Sequence, residues 1–206
     1  MTEENKEETK GTGEETVLQE MIEAYRGRYA RLFRRRWGKE PPAIHTARVA
    51  LIANGSGGEE EGIWLSGLLT SRGALTEEWW LDSGEKPESA GEENDAILVA
   101  ATSIPNDEVR EIFRRMMRRA VSRSAVIAAV DGGIALLAQE GFLRGRAAAF
   151  GSHERVAMER WGVRWSGSSV AQDGMFLTAE GRRNTQVLVR TLLEMLSQSP
   201  AEELDK

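Results

Sequence analysis

Cysteine is absent from the 206 residues, and its absence excludes disulfides, thiolate metal sites, iron–sulfur clusters and a cysteine nucleophile. Histidine is almost absent too. Only His45 and His153 occur, too few for a histidine-built metal centre, so neither a metal nor a cofactor is expected. No apolar run approaches the roughly 20 residues that cross a bilayer. The polar, acidic N-terminus lacks the basic-then-apolar order of a secretory signal. Positive charge is not in excess: 27 Lys and Arg against 33 Asp and Glu leave a net charge of −6, which argues against a dedicated nucleic-acid binder. These absences together describe a soluble, cytoplasmic chain with no membrane partner and room for one mid-sized domain.

What is present divides the chain in three. Residues 1–15 carry six acids, two lysines, two glycines and no aromatic, a composition expected to stay disordered. Residues 16–44 are expected to form an amphipathic helix and a linker. Thr16 and Gln19 have capping-box spacing, and Val17, Leu18, Met21, Ile22, Tyr25, Tyr29, Leu32 and Phe33 recur at helical intervals. The second half of this segment is basic, from Arg26 through Arg34, Arg35 and Arg36 to Lys39. It reads as a solvated face, with an anionic partner as the alternative.

From residue 45 to residue 206 the pattern alternates between buried strands and helices. Val49–Ala53, Asp95–Ala101 and Val126–Val130 read as buried strands, apolar throughout except at Asp95, as strands covered on both faces require. Gly62–Ser71 reads as a helix, and so does the segment after Pro105-Asn106-Asp107, where Val109, Ile112, Phe113, Met116, Met117 and Ala120 make one stripe. A strand at Leu75–Leu81, a polar loop over Gly84–Asn94, a short helix at Ile134–Gln139, a strand near Ala147–Phe150, a helix over His153–Trp161, a hairpin at Asp173-Gly174 and a closing helix over Asn184–Leu196 fill in the rest. The fold class is α/β, a three-layer sandwich around a mainly parallel sheet.

Ala128-Ala129-Val130-Asp131-Gly132-Gly133-Ile134 is a buried strand running straight into a helix with one acid at the junction. Asp131 is either a helix N-cap or a reactive side chain raised on a strand–turn–helix elbow. Farther on come Gly141-Phe142-Leu143-Arg144-Gly145-Arg146 and Asp173-Gly174-Met175-Phe176-Leu177-Thr178-Ala179. In this order, over roughly residues 47–197, the motifs resemble the ThiJ/PfpI family of the class I glutamine amidotransferase-like superfamily. They also resemble the sensor half of some AraC-type regulators.

The resemblance implies a flavodoxin-like fold and a homodimer. It places the family's reactive cysteine on Asp131 and its acidic partner on Glu61, with Glu59 and Glu60 as alternatives. The backbone N–H of Gly132 takes the place of an oxyanion donor, and Thr102 stands where the family's second glycine turn is missing. His153 lies two residues from the position of the family histidine. An aspartate at the elbow cannot do thiol redox or glutaminyl-transfer chemistry. Three functions stay open: a binding or interaction protein for a small molecule of unknown identity, an acid–base hydratase or lyase akin in reaction type to isonitrile hydratase using Asp131 and Glu61, and an aspartate nucleophile forming an ester.

Overall fold

The computed structural model describes residues 47–83 and 94–198, with the side chains of residues 55–61, 182 and 198 excepted. The expected acidic tail, the expected N-terminal helix and the loop over residues 84–93 lie outside the described residues. So does the side chain of Glu61, together with those of Glu59 and Glu60.

Among the described residues, eight strands and five helices follow in order. They are β1 Arg48–Ala53, α1 Gly55–Thr70, β2 Leu75–Trp80, β3 Ala96–Val99, α2 Asp107–Ser122, β4 Val126–Val130, α3 Gly132–Gln139, β5 Ala147–Ala148, α4 Arg155–Arg160, β6 Arg164–Trp165, β7 Val170–Asp173, β8 Phe176–Ala179 and α5 Thr185–Gln198. Six strands form one sheet in the order β2-β1-β3-β4-β8-β7. The first five are parallel, and β7 turns back antiparallel on β8 through the hairpin expected at Asp173-Gly174. β5 and β6 form a small parallel pair of their own. The chain has the α/β, flavodoxin-like architecture, a mainly parallel sheet with helices on both faces.

Alternation along the strands explains the layers. Ala50, Ile52, Ile97, Val99, Ile127, Ala129 and Phe176 share one core with the apolar stripe of α2 and with Ile134, Leu136 and Leu137 of α3. The intervening residues, Val49, Leu51, Leu98, Ala128 and Leu177, are equally buried and point to the opposite face, where α1 packs on β1 and β2 and α5 packs on β4 and β8. Burying each of these valine and leucine side chains contributes about 1.5–3 kcal/mol relative to exposure. No helix among the described residues is long and apolar enough to cross a membrane.

Helix α2 begins as its sequence requires: the Asn106 side chain accepts the Val109 N–H at 2.9 Å, and Asp107 and Glu108 occupy the first turn. Its arginines divide into two groups. Arg110 and Arg114 reach the carboxylate of Glu140 at the end of α3, at 3.3 and 2.6 Å, while Arg115 and Arg118 are exposed. Hydrogen bonding and charge from Glu140 hold the Arg114 guanidinium above its ordinary pKa. Phe113 meets Phe142 edge-on at 6.3 Å beside this cluster.

Candidate functional site

In a parallel sheet, functional groups gather at the carboxyl ends of the strands, above all where the strand order reverses. Here the reversal falls between β1 and β3. Asn54, Thr102, Asp131 and Gly181 follow β1, β3, β4 and β8 respectively, so the topology brings four separate sequence segments to one sheet edge.

Asp131 is held in an uncommon backbone conformation, φ 45° and ψ −122°. It and Ser124 are the two positive-φ residues other than glycine among the described residues. Such a conformation costs of order 1–3 kcal/mol for a residue with a Cβ. The surroundings impose it: the Asp131 N–H is 3.4 Å from the Ala179 carbonyl on β8, and its own carbonyl accepts the Ile134 N–H at 3.0 Å as α3 begins. Its side chain makes no helix cap. The backbone at Asp131 thus makes a strand–turn–helix elbow, and the side chain does not act as an N-cap.

The two glycines that follow are required by close approach rather than by φ. A Cβ on Gly132 would lie 2.5 Å from Thr102 Cγ2, and one on Gly133 would run into the Val99 carbonyl oxygen. α3 is thereby drawn tight against β3 and its exit loop. Among the described residues the N–H groups of Gly132 and Gly133 have no acceptor, as expected for the first turn of a helix. The Asp131 carboxylate, half-buried, has no hydrogen bond or ion pair among the described residues. The near side of Gly181 (φ +70°) faces it, its would-be Cβ 3.9 Å from Asp131 Oδ1.

Thr102 stands beside this elbow, but its N–H donates to Asn54 Oδ1 at 2.7 Å. Asn54, only 4% exposed, also donates from Nδ2 to the Ser103 carbonyl at 3.1 Å and accepts weakly from the Ser103 N–H at 3.4 Å. It occupies the N-cap position of α1 without capping it. Its amide instead clips the β1 exit to the β3 exit across the strand-order reversal. Sequence alone does not single out this residue, because its hydrogen-bonding partner lies 48 positions away.

Glu61 lies on α1, which starts at Gly55, seven residues before the helix expected from periodicity. The next residue, Gly62, is covered by the Trp80 ring, whose Cη2 would be 2.8 Å from a Cβ there. His153 is exposed in a short 3-10 turn over Ser152–Glu154. Its imidazole folds over Gly151, where a Cβ would be 2.5 Å from Cε1, and the Gly151 N–H donates to Glu154 Oε2 at 3.1 Å. No hydrogen bond or ion pair joins His153 to Asp131 among the described residues. No group of three or more His, Asp or Glu among them is arranged to hold a metal.

Two open clefts lie elsewhere. One of about 390 Å³, lined by Asp95, Arg123, Gln172 and Met195 among others, is at the amino ends of β3 and β4. Another of about 350 Å³ lies between Arg155, Glu159 and Trp165. Trp165 is 44% exposed under the Arg155 guanidinium, 5.2 Å from its ring centre.

No protein-family model matches the chain, and no curated protein matches it. Solved structures do. A ThiJ/PfpI domain protein from Brachyspira murdochii superposes with a TM-score of 0.59 at 12% identity, covering 74% of this chain and 98% of that one. DJ-1beta from Drosophila melanogaster gives 0.58 at 17% identity over 74% and 91% of the two chains. An AraC family transcriptional regulator from Pseudomonas putida gives 0.52 at 16% identity over 73% and 97%. At these identities the likeness is one of fold, and the fold of this chain is that of the ThiJ/PfpI and DJ-1 structures.

Proposed function

We propose that this chain is a divergent ThiJ/PfpI-type protein that binds a small molecule at the Asp131 elbow and performs no thiol chemistry. The supporting observation is the elbow: a strained, half-buried aspartate whose carboxylate has no partner among the described residues, beside two unengaged helix N–H groups. A carboxylate next to N–H donors suits a ligand that presents both a donor or cationic group and an acceptor. Binding is favoured over catalysis by the Thr102 N–H, which is committed to Asn54, and by His153, which folds over Gly151. Calorimetric titration with a panel of small amino acids and amides tests this. Stoichiometric binding lost in Asp131→Leu supports the reading, and a panel that binds both proteins equally overturns it.

The retained strain favours a second reading, because a carboxylate kept in a costly conformation is a common mark of a reacting group. Asp131 and Glu61 would then act as acid and base in a hydration or elimination. Turnover of an isonitrile by the wild type, abolished in Asp131→Asn and in Glu61→Gln, would select it over simple binding. The reading carries a homodimer as its assembly and a cytoplasmic location.

A further inference from the structure

We propose that Asp131 and Gly132 form a self-modification site, at which the chain closes a succinimide on itself and reopens it as an isoaspartyl linkage. In the closing step the Gly132 nitrogen bonds to Asp131 Cγ. The Cγ–OH bond of the protonated carboxyl breaks, and the amide proton leaves with that hydroxyl as one water. Hydrolysis then returns one water: cleavage at Cγ–N restores aspartate, and cleavage of the bond between the Asp131 main-chain carbon and the Gly132 nitrogen leaves the chain running through the side chain. No oxidant, reductant or other reactant is needed.

The geometry singles out this dipeptide. The tetrahedral Cα of an L-residue sets Cβ about 120° on the negative side of N, viewed along the Cα–C bond. At ψ −122° the Gly132 nitrogen therefore lies in line with Asp131 Cβ, the arrangement of a closed five-membered ring. Ordinary strand and helix values, about +135° and −42°, put that nitrogen well away from Cβ. Three further features agree. Gly132 brings no Cβ to shield its nitrogen, its N–H has no acceptor among the described residues, and the carboxylate has no partner among them.

The same chain supplies two contrasts. Asp173-Gly174 has the same sequence, but the Asp173 carboxylate accepts the Ala147 N–H at 2.8 Å and faces Arg146 and Arg164 at 3.6 and 3.7 Å. Asn54-Gly55 has the better leaving group, yet Asn54 sits at ψ 144° with both ends of its amide engaged. Sequence alone ranks Asn54 first and the two Asp-Gly pairs as equals; the structure puts Asp131 first.

The test ages the intact full-length protein at neutral pH, alongside the same protein unfolded in guanidinium. Peptide mapping scores succinimide by the loss of one water, and isoaspartate by methyltransferase labelling and resistance to Asp-specific cleavage. In the folded protein, conversion at Asp131 should exceed that at Asp173 by at least about tenfold, since a preset reacting geometry is worth that and more. In guanidinium the two should be comparable. Equal rates at the two sites when folded, or slower conversion at Asp131 folded than unfolded, would overturn the proposal. Asp131→Asn gives an independent check with ammonia as the leaving group: in that variant the elbow position should convert ahead of Asn54, and the reverse order would count against the proposal.

Discussion

Asn54 and Thr102 are joined by a 2.7 Å hydrogen bond across the point where the strand order of the sheet reverses. The bond takes a buried side chain on one loop and a backbone N–H on the other, so neither loop holds its conformation independently. Asn54→Ala leaves the Thr102 and Ser103 groups unsatisfied in a partly buried place and should cost about 1–3 kcal/mol. Asn54→Asp, which keeps the acceptor and loses the donor, should retain the Thr102 bond but lose that to the Ser103 carbonyl. Chemical denaturation of the two variants measures the difference, and an Asn54→Ala protein as stable as wild type would contradict the clip.

Gly132 and Gly133 should not respond alike to alanine. At Gly133 the obstruction is the backbone carbonyl of Val99, which cannot move without shifting β3, so Gly133→Ala should cost about 1–3 kcal/mol or more. At Gly132 the nearest obstruction is the Thr102 side chain. Gly132→Ala should be milder and partly rescued by Thr102→Gly, and a thermal-melt series over the four proteins would show it.

The Asp131 backbone makes a prediction of opposite sign. Glycine adopts φ 45° without the Cβ penalty, so Asp131→Gly should be more stable than wild type by about 1 kcal/mol, after the entropic cost of glycine is subtracted from the strain relieved. Asp131→Val, β-branched, should be less stable. A loss of stability in Asp131→Gly would mean that the carboxylate itself holds the fold.

Glu140 is 7% exposed at its side chain and faces both Arg110 and Arg114. Glu140→Gln should destabilise the chain, and a double-mutant cycle with Arg114→Gln should show positive coupling. Because these residues tie α2 to the end of α3, the elbow helix should loosen as well, seen as faster amide exchange in Leu136–Gln139.

The strands were legible in the sequence because burial on both faces leaves unbroken apolar runs: Val126–Val130 was bounded correctly, β1 begins one residue earlier than its run, at Arg48, and β3 is shorter than its run by one residue at the start and two at the end. The start of α1 was not, since Gly55-Ser56-Gly57-Gly58 has the composition of a turn and becomes helical only in place. At the site, the junction acid at Asp131 was legible, but the choice between cap and elbow was not, because it depends on a backbone angle set by β8 and α3. Asn54 and Gly181 escaped notice for the same reason. Their importance lies in neighbours that the chain brings together only on folding.

The most direct test of ligand binding at the elbow is a backbone amide NMR titration with the same panel of amino acids and amides. Shifts centred on Gly132, Gly133, Thr102 and Gly181 in the wild type, absent in Asp131→Leu, are the expected result. Shifts confined to the cleft around Arg123 and Met195, with the elbow amides unmoved, would contradict it.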